Sequence, residues 1–223
     1  MLCDSYCEQK AVTPYMFFTG AFGIFLSKLS GSKEMMVGTP VSSRRSFHLS
    51  ETAGLFVNTL PLRLMPQDGL SVLDYLNQVK DNIINLIDHP HIPLERLVSL
   101  SGRKSGENQN PLYNTIVSMR PVNLDGFSFA GREAEPEPVP AGSAKADLNL
   151  EIYKSQGCYR FRIEYASSLF DAETVSLYGR SFIAVIRNML QHDACLLEDC
   201  SAISDYDRYY LIELPHTICL LYT

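Results

Sequence analysis

Arg44 and the pair Asn58-Thr59 are the polar residues near the start of the sequence whose types best suit the binding of another chemical group. An arginine fork can form a bidentate ion pair with a carboxylate, and an asparagine amide can both donate and accept hydrogen bonds. Arg44 follows a run with glycine and proline, residues 37–43, and Asn58 closes a second apolar run, residues 54–57. This pattern predicts a loop that holds Arg44 and Asn58 at the edge of a sheet.

Three residues of this stretch control its backbone. Gly38 and Gly54 allow backbone angles or close approaches that a side chain would forbid. Pro40 lacks the N–H group that ordinary strand pairing requires. We therefore expect a short buried strand at residues 35–37, followed by a loop that runs to Arg44.

Two further groups of polar residues are candidates for a functional role. His89 and His91 have the spacing of two metal ligands on a strand, but no convincing third ligand lies nearby and prolines flank both residues. We expect no metal there, and we expect His89 with Glu95 to fix the loop that enters a short helix. Lys145 and Asp147 either form an ion pair by a crevice or merely flank a strand.

Composition and missing motifs exclude several classes of function. The 223 residues are 46% hydrophobic and 20% charged, which suits one globular domain with a full core. The net charge of −6 argues against nucleic acid as the main partner. The sequence has no G-x-S-x-G elbow, P-loop or dinucleotide fingerprint, and its apolar run at residues 15–26 is too short to span a bilayer. We expect a cytoplasmic protein with reduced thiols, although Cys195 and Cys200 could lie close together.

The periodicity of the apolar residues predicts a mixed α/β architecture with no internal repeat. Helices are expected at residues 13–29, 71–88 and 171–189, each with a capping side chain at its start, and a shorter helix after Pro93. Strands are expected at residues 113–119, 148–152 and 159–165, with an exposed excursion at 130–146 and a turn at 156–157. The buried face of the second helix is predicted to consist of Val72, Leu73, Leu76, Val79, Ile83, Leu86 and Ile87.

Several motifs, in the same order, resemble the condensation domains of non-ribosomal peptide synthetases. Residues 38–44 (G-x-P-x-x-x-R) and 54–63 (G-x-F-V-N-T-L-x-L-R, which includes Phe56) are similar to the family's fifth core motif. Residues 89–95 resemble the sixth motif, H-Q-D-x-P-F-E, with matches at His89, Pro93 and Glu95. Asn110 begins an N-P-L that resembles the end of the seventh motif, and residues 144–148 resemble A-K-F-D-L, with Ala146 in place of Phe.

This resemblance implies a chloramphenicol-acetyltransferase-like two-layer sandwich with a mixed sheet and packed helices. The family has two such lobes, arranged in a V around the active site. Residues 13–207 look like the carboxy-terminal lobe, and we leave residues 1–12 and 208–223 unassigned. The family's hallmark H-H-x-x-x-D-G belongs to the other lobe, and no adjacent histidines occur in this sequence.

By resemblance, the parent domain forms an amide bond between carrier-bound acyl or peptidyl and aminoacyl thioesters. The substrates would be tethered to phosphopantetheine arms, with no cofactor bound covalently to this chain. The implied partners are peptidyl carrier proteins, the missing amino-terminal lobe and a neighbouring adenylation domain. This chain is expected to be inactive alone.

The resemblance also assigns roles to individual residues. Arg44 would reach across the lobe interface to the aspartate of the missing motif, unless it is only an exposed loop arginine beside Arg45. Asn58 and Thr59 either line the floor of the substrate tunnel or, in the case of Asn58, satisfy the end of a strand. Three other functions stay open: a non-catalytic remnant that binds carrier proteins, an epimerisation domain, and an acyltransferase that uses His48 or His89.

Overall fold

In the computed structural model, the described residues are 2–44, 51–102, 110–120, 128–133, 142–155, 157–192 and 194–208. The helices are α1 Leu2–Gln9, α2 Pro14–Ser30, α3 Val72–Asp88, α4 Leu94–Ser101, α5 Ala172–Gln191 and α6 Asp205–Arg208, with a 3-10 helix at Leu197–Asp199. The strands are β1 Met35–Ser42, β2 Val57–Leu64, β3 Thr115–Met119, β4 Ser128–Phe129, β5 Arg132–Glu133, β6 Leu148–Ser155 and β7 Cys158–Tyr165.

The chain divides into two units. The first comprises Met36–Arg63 and Asp81–Phe170 and contains the sheet. The second comprises Leu2–Met35, Leu64–Lys80 and the described residues from Asp171 onward, and it is mainly helical. Helix α3 contributes residues to both units.

The sheet of the first unit has five strands in the order β2-β1-β3-β6-β7. Strands β1 and β3 run parallel, as do β3 and β6, whereas β6 and β7 form an antiparallel pair. The sheet is therefore mixed, as the sequence predicts. Strands β2 and β7 form its two edges.

The hairpin of β6 and β7 shows how position in the sheet decides burial. Leu148, Leu150 and Ile152 of β6 are 0–3% exposed, as their alternation predicts. The corresponding residues of β7 are only half-buried, because an edge strand has a neighbour on one side alone. Gly157, directly before β7, has the positive φ of 73° that a glycine allows at the predicted turn. Gln156, the other residue of that turn, lies outside the described residues.

Strand β1 is longer than the sequence analysis predicts. The expectation of a loop from Gly38 onward is wrong, because the strand continues to Ser42. Val37, Thr39 and Val41 alternate into the core while Pro40 stays exposed. Gly38 lies opposite Ile116 of β3, two residues before Pro40, so the missing N–H of the proline does not interrupt this contact.

The helix of the second unit with the most complete burial is α2, in which every residue from Met16 to Ser27 is buried. Thr13 caps its start: the hydroxyl accepts from Met16 N at 3.2 Å, and Thr13 N donates to the Met16 sulfur at 3.4 Å. Gly31 ends it with a φ of 71° and donates to Ser27 O at 2.8 Å. Both predicted ends are confirmed, because capping depends on residues close in sequence.

Aromatic rings join α2 to α5 within this unit. The ring centroids of Phe22 and Phe182 lie 6.0 Å apart, and those of Phe25 and Tyr178 lie 5.8 Å apart, both edge to face. Such pairs add to the free energy gained from area burial alone. Asp171 caps α5 by accepting from Thr174 N at 2.7 Å, as predicted.

The buried face of α3 differs from the prediction at two positions. Ile87, expected inside, is 45% exposed, whereas Tyr75, which was left out, is completely buried. The start of the helix is as expected: the Ser71 hydroxyl accepts from Asp74 N at 3.1 Å and donates to the Asp74 carboxylate at 2.6 Å.

Several predictions concern residues that are only partly described. Of the excursion at residues 130–146, Ala130–Arg132 are exposed, and residues 134–141 lie outside the described ranges. Residues 45–50, 103–109 and 209–223 also lie outside them, and these include Arg45, His48 and His216. None of the helices in the described part of the chain is long and apolar enough to cross a membrane.

The described cysteines are unbonded thiols, with sulfur–sulfur distances of 4.0 Å for Cys3 and Cys7 and 3.6 Å for Cys195 and Cys200. Cys195 and Cys200 therefore do lie close together. The sixth cysteine, Cys219, lies outside the described residues.

Asp207 connects the short helix α6 to α5. Its carboxylate accepts from Arg180 Nε at 2.8 Å and from the Ser204 hydroxyl at 2.5 Å, and the residue is 3% exposed. Burial alone would raise the pKa of Asp207, but the hydrogen bonds from Ser204 and Arg180 and the arginine charge outweigh burial, so the pKa is lowered.

We predict that Asp207→Asn lowers the free energy of unfolding by about 1–2 kcal/mol at pH 7. This range is lower than that for a fully buried ion pair, because Arg180 is partly exposed to solvent. A lowered folded-state pKa stabilises the protein above the unfolded-state value and loses that effect as the pH falls through the folded-state value. The deficit should therefore shrink in acid, below about pH 4. Urea denaturation at several pH values measures this, with the exposed Asp199→Asn as the control. A deficit independent of pH would contradict the assignment.

Candidate functional site

The side chain of Arg44 is held by the loop that leads into β2. Its Nη1 donates to Thr52 O at 2.7 Å and its Nη2 donates to Gly54 O at 3.2 Å. The guanidinium carbon lies 4.2 Å from the centroid of the Phe56 ring, within the range of a cation–π interaction. The residue itself is exposed. The predicted loop thus orders the arginine at the edge of the sheet.

Gly38 and Gly54 both serve a close approach, as expected. A Cβ atom on Gly38 would lie 2.5 Å from the ring of Tyr113, and one on Gly54 would lie 2.9 Å from the ring of Phe56. Real Cβ contacts are longer, so either side chain would have to move the ring. Tyr113 is the partner that sequence reasoning missed, because it lies far along the chain from Gly38.

Asn58 connects β2 to the loop between α3 and α4. Its Nδ2 donates to Pro90 O at 3.2 Å and to Ile92 O at 2.9 Å. Of the two roles left open for Asn58, these bonds support satisfaction of backbone groups near a strand end. The strand end in question is the start of β2, because β2 begins at Val57. Residues 54–56 therefore precede the strand. Thr59 follows on the strand and is half-buried.

We predict that Asn58→Asp destabilises the protein more than Asn58→Ala does at neutral pH. The introduced carboxylate loses both donors and faces two carbonyl oxygens, at a cost of about 1–3 kcal/mol. The two carbonyls disfavour the charged form and raise the folded-state pKa of the introduced carboxyl. Protonation restores one donor, so the difference should narrow as the pH falls through that raised pKa and be smallest below about pH 4. Chemical denaturation measures both variants, with Asn77→Asp on the exposed face of α3 as the control. Equal stability of the Asp and Ala variants at pH 7 would show that the two hydrogen bonds contribute little.

His89, Pro93 and Glu95 belong to the segment between α3 and α4. His89 Nδ1–H donates to Asn85 O at 2.9 Å, at the end of α3. Pro93 occupies the N-cap position of α4, and Glu95 lies in the first turn, where a carboxylate is favoured by the helix dipole. Within the described ranges His89 and Glu95 form no hydrogen bond with each other. The loop at residues 90–92 is instead held by Asn58, which donates to the carbonyls of Pro90 and Ile92.

His91 is exposed, and among the described residues no group of three or more His, Cys, Asp or Glu side chains could hold a metal ion.

Asn110 and Asp147 organise the start of the central strands. Asn110 Oδ1 accepts from Leu112 N at 2.9 Å and from Tyr113 N at 3.4 Å, which forms a local turn before β3. Asp147 N donates to Asn114 O at 2.9 Å. Lys145 is exposed and, in the part of the chain that is described, forms no ion pair with Asp147. The two residues flank a strand, which was the second of the two alternatives.

The arrangement therefore has two separate parts in the first unit. One combines Arg44, Gly54 and Phe56 around a guanidinium, and the other combines Asn58 with the loop at residues 90–92. Among the described residues, neither part places a nucleophile beside a general base. What the two parts do contain is an ordered arginine and an asparagine that holds the loop at residues 90–92.

The sequence comparison identifies the family. The model of the Condensation domain family matches residues 2–212. The chain therefore belongs to the condensation-domain family. Surfactin synthase subunit 1 of Bacillus subtilis (strain 168) is 31% identical over 206 residues, which are 92% of this chain and 6% of that protein. Bacitracin synthase 2 of Bacillus licheniformis is 28% identical over 205 residues, which are 92% of this chain and 8% of that protein. The chain thus spans less than a tenth of the length of these relatives.

Solved structures share the fold. A four-domain nonribosomal peptide synthetase bound to AMP and glycine superposes with a TM-score of 0.84 at 20% identity, over 92% of this chain and 17% of that one. The first condensation domain of the CDA synthetase gives 0.72 at 18% identity, over 90% of this chain and 44% of that one. The X-domain from teicoplanin biosynthesis gives 0.77 at 16% identity, over 90% and 46%. At these identities the likeness shows the fold alone, and the predicted α/β fold class is confirmed.

Proposed function

We propose that this chain forms the carboxy-terminal half of a condensation domain that joins a carrier-bound acyl or peptidyl thioester to the amine of a carrier-bound aminoacyl thioester. The observation that carries the proposal is coverage: 90% of this chain matches only 44% of a solved condensation domain. The remaining half would supply the H-H-x-x-x-D-G motif, which this sequence does not contain.

The reaction defines what the missing half must provide. The acceptor amine attacks the thioester carbonyl, a C–N bond forms, the C–S bond breaks, and the donor's thiol leaves. The amine must lose a proton and be held close to the carbonyl, which a histidine of the other half can accomplish. The present chain would provide one wall of the tunnel and the ordered Arg44, whose fork suits the aspartate of the missing motif.

The histidine geometry disfavours the acyltransferase that would use His89. A general base must reach the proton that it abstracts. His89 is exposed at the end of α3, whereas a base that acts on a tunnel-bound substrate should lie in a crevice. Its Nδ1–H donates to Asn85 O, which leaves Nε2 as the accepting nitrogen of the ring. His48, the other candidate, lies outside the described residues.

The partners that we infer are peptidyl carrier proteins with phosphopantetheine arms, the amino-terminal half of the domain and a neighbouring adenylation domain. The relatives are named as synthases and a synthetase, and each is much longer than this chain. A long assembly line is consistent with such partners. A cytoplasmic location stays a prediction.

The test combines this chain with a separately made amino-terminal half that carries H-H-x-x-x-D-G. Loaded donor and acceptor carrier proteins are added, and the dipeptidyl thioester is followed by intact-protein mass spectrometry. We expect product only when both halves are present. A single-chain fusion of the two halves provides a second format if the separate halves do not associate.

Each other outcome contradicts the proposed function. A complex that binds carrier proteins without product would indicate a non-catalytic remnant. Inversion of the carrier-bound aminoacyl group without transfer would indicate an epimerisation domain. Failure to form a complex, together with an inactive fusion, would show that the chain does not complete a condensation domain.

We predict that the chain alone associates with itself through the apolar residues beside Phe56. Leu55 is 90% exposed and Val57, at the edge strand β2, is 53% exposed. Exposed apolar patches drive association, so light scattering should show a mass above that of one chain at high concentration. Replacement of both residues by Ser should reduce the mass, whereas Leu100→Ser, on α4 and 75% exposed, should not. A clean monomer would contradict the prediction.

A further inference from the structure

We propose that Phe56 is a positioning residue that fixes the orientation of the Arg44 guanidinium. The inference rests on the proposed role of Arg44 as a partner for a carboxylate. It adds a residue that acts through the arginine rather than on the substrates. Three sets of contacts in the described residues carry it.

The first set fixes the guanidinium plane. Its carbon lies 4.2 Å from the centroid of the Phe56 ring, while Nη1 and Nη2 donate to the carbonyls of Thr52 and Gly54. The guanidinium carbon lies over the ring, and the two carbonyls accept from the terminal nitrogens of the guanidinium. An arginine side chain has many rotamers, and ordering one before binding removes that entropy cost from the binding step.

The second set fixes the backbone that bears the ring. Ser43 donates twice to Phe56 O, from its backbone N at 2.8 Å and from its hydroxyl at 3.0 Å. Ser43 directly precedes Arg44 in the sequence. The two ends of the loop are therefore joined next to the contact between Arg44 and Phe56, and this junction holds the backbone of Phe56 beside the residue that precedes the arginine.

The third set concerns the edge of the ring next to Gly54. A Cβ on Gly54 would lie 2.9 Å from Phe56 Cε2, so the glycine leaves the space that the ring edge occupies. The ring therefore contacts both the Gly54 backbone and the guanidinium. A smaller apolar side chain at position 56 would keep the backbone bonds of Ser43 but would leave the arginine face uncovered.

The direct test uses the full 223-residue chain with ¹⁵N-labelled arginine. In the wild-type chain the Arg44 Nε–Hε order parameter should be high, and the Arg44 side-chain protons should show an upfield ring-current shift. Phe56→Leu should lose both signals, and Phe56→Tyr should retain them. Phe161→Leu on β7, at the opposite edge of the sheet, is the matched control and should leave Arg44 unchanged.

The functional test is a double-mutant cycle on the dissociation constant of the two halves. Phe56→Leu should weaken association about two- to fivefold, the range expected for an exposed cation–π contact. In an Arg44→Ala background the same substitution should have no further effect, because Phe56 would act only through the arginine. A purely structural role would weaken association in both backgrounds.

The two readouts separate this inference from the proposed function. If Arg44 is ordered by Phe56 but no product forms with the second half, the proposed function fails and the positioning contact stands. An equal loss from Phe56→Leu in both backgrounds would overturn the inference, as would an unchanged Arg44 order parameter in that variant.

Discussion

Gly23→Ala in α2 should destabilise the protein by about 1–3 kcal/mol, although alanine is the better helix former. A Cβ on Gly23 would lie 2.2 Å from the hydroxyl oxygen of Tyr75 and 3.1 Å from Leu64 Cδ1. Tyr75 is 0% exposed and comes from the neighbouring helix α3. Because the core around it is closely packed, the ring cannot move away without displacing other side chains.

The hydroxyl of Tyr75 allows a specific contact with the new Cβ to be distinguished from general overpacking of the core. Among the described residues it has no hydrogen-bond partner, and burial raises the pKa of the phenol. A buried hydroxyl without a partner costs free energy relative to an apolar group of the same shape. We therefore expect Tyr75→Phe alone to stabilise the chain, by about 1 kcal/mol.

The double variant tests the contact itself. Tyr75→Phe removes the atom that the new Cβ would meet, so Gly23→Ala should cost much less in that background. Gly20→Ala is the matched control, because its Cβ would meet Leu76 Cδ2 at 2.7 Å and the Tyr75 ring only at 3.7 Å. Leu76 Cδ2 is the end of a flexible side chain, and Tyr75→Phe should not rescue this variant. Urea denaturation followed by circular dichroism measures the wild-type chain and the five variants, which include Gly20→Ala combined with Tyr75→Phe.

Local features of the fold could be predicted from the sequence. The starts of α2 and α5 follow from the side chains of Thr13 and Asp171, which accept from backbone N–H groups three residues away. The end of α2 follows from Gly31, whose positive φ allows its backbone N–H to donate to Ser27 O. The alternation in β6 likewise depends only on the period of a strand. Such patterns are present within a short window of the sequence, so no tertiary information is needed.

Several of the failures involve contacts between distant parts of the chain. The loop expected after Val37 is a strand, because pairing near Gly38 and the alternating burial around Pro40 outweigh the local preference of these residues. Tyr75, which the predicted face omits, lies three positions after Val72, a spacing that places both residues on the same face of the helix. The partners of Asn58, which are 32 and 34 residues away, are not indicated by any local pattern.

The same distinction applies to the candidate site. The resemblance selected Arg44, Phe56 and Asn58 as motif residues, but it said nothing of their contacts within this chain. The stack of Arg44 on Phe56 depends on a loop closed by Ser43, and that closure is visible only in the structure. The resemblance therefore predicts which residues matter, and the structure adds the contacts that each of them makes within this chain.

Arg44→Ala should weaken the association of the two halves about 30-fold or more, the lower end of what removal of one partner from a buried ion pair costs at an interface. The reason is that the proposed aspartate of the second half would be left in the interface without its counter-charge. Isothermal titration of the two halves measures the dissociation constant. The amount of dipeptidyl thioester at subsaturating concentrations should fall with it.

Two further variants distinguish the ion pair from a general effect of charge. Arg44→Lys keeps the charge but lacks the planar fork, so it should recover only part of the affinity. Arg96→Ala removes an exposed arginine from α4 and should change the dissociation constant little. If Arg44→Ala behaves like Arg96→Ala, then Arg44 is an exposed loop arginine, ordered by Thr52, Gly54 and Phe56 for the stability of its own loop. If the loss is large and Arg44→Lys restores only part of it, the ordered fork contributes to the interface of the condensation domain.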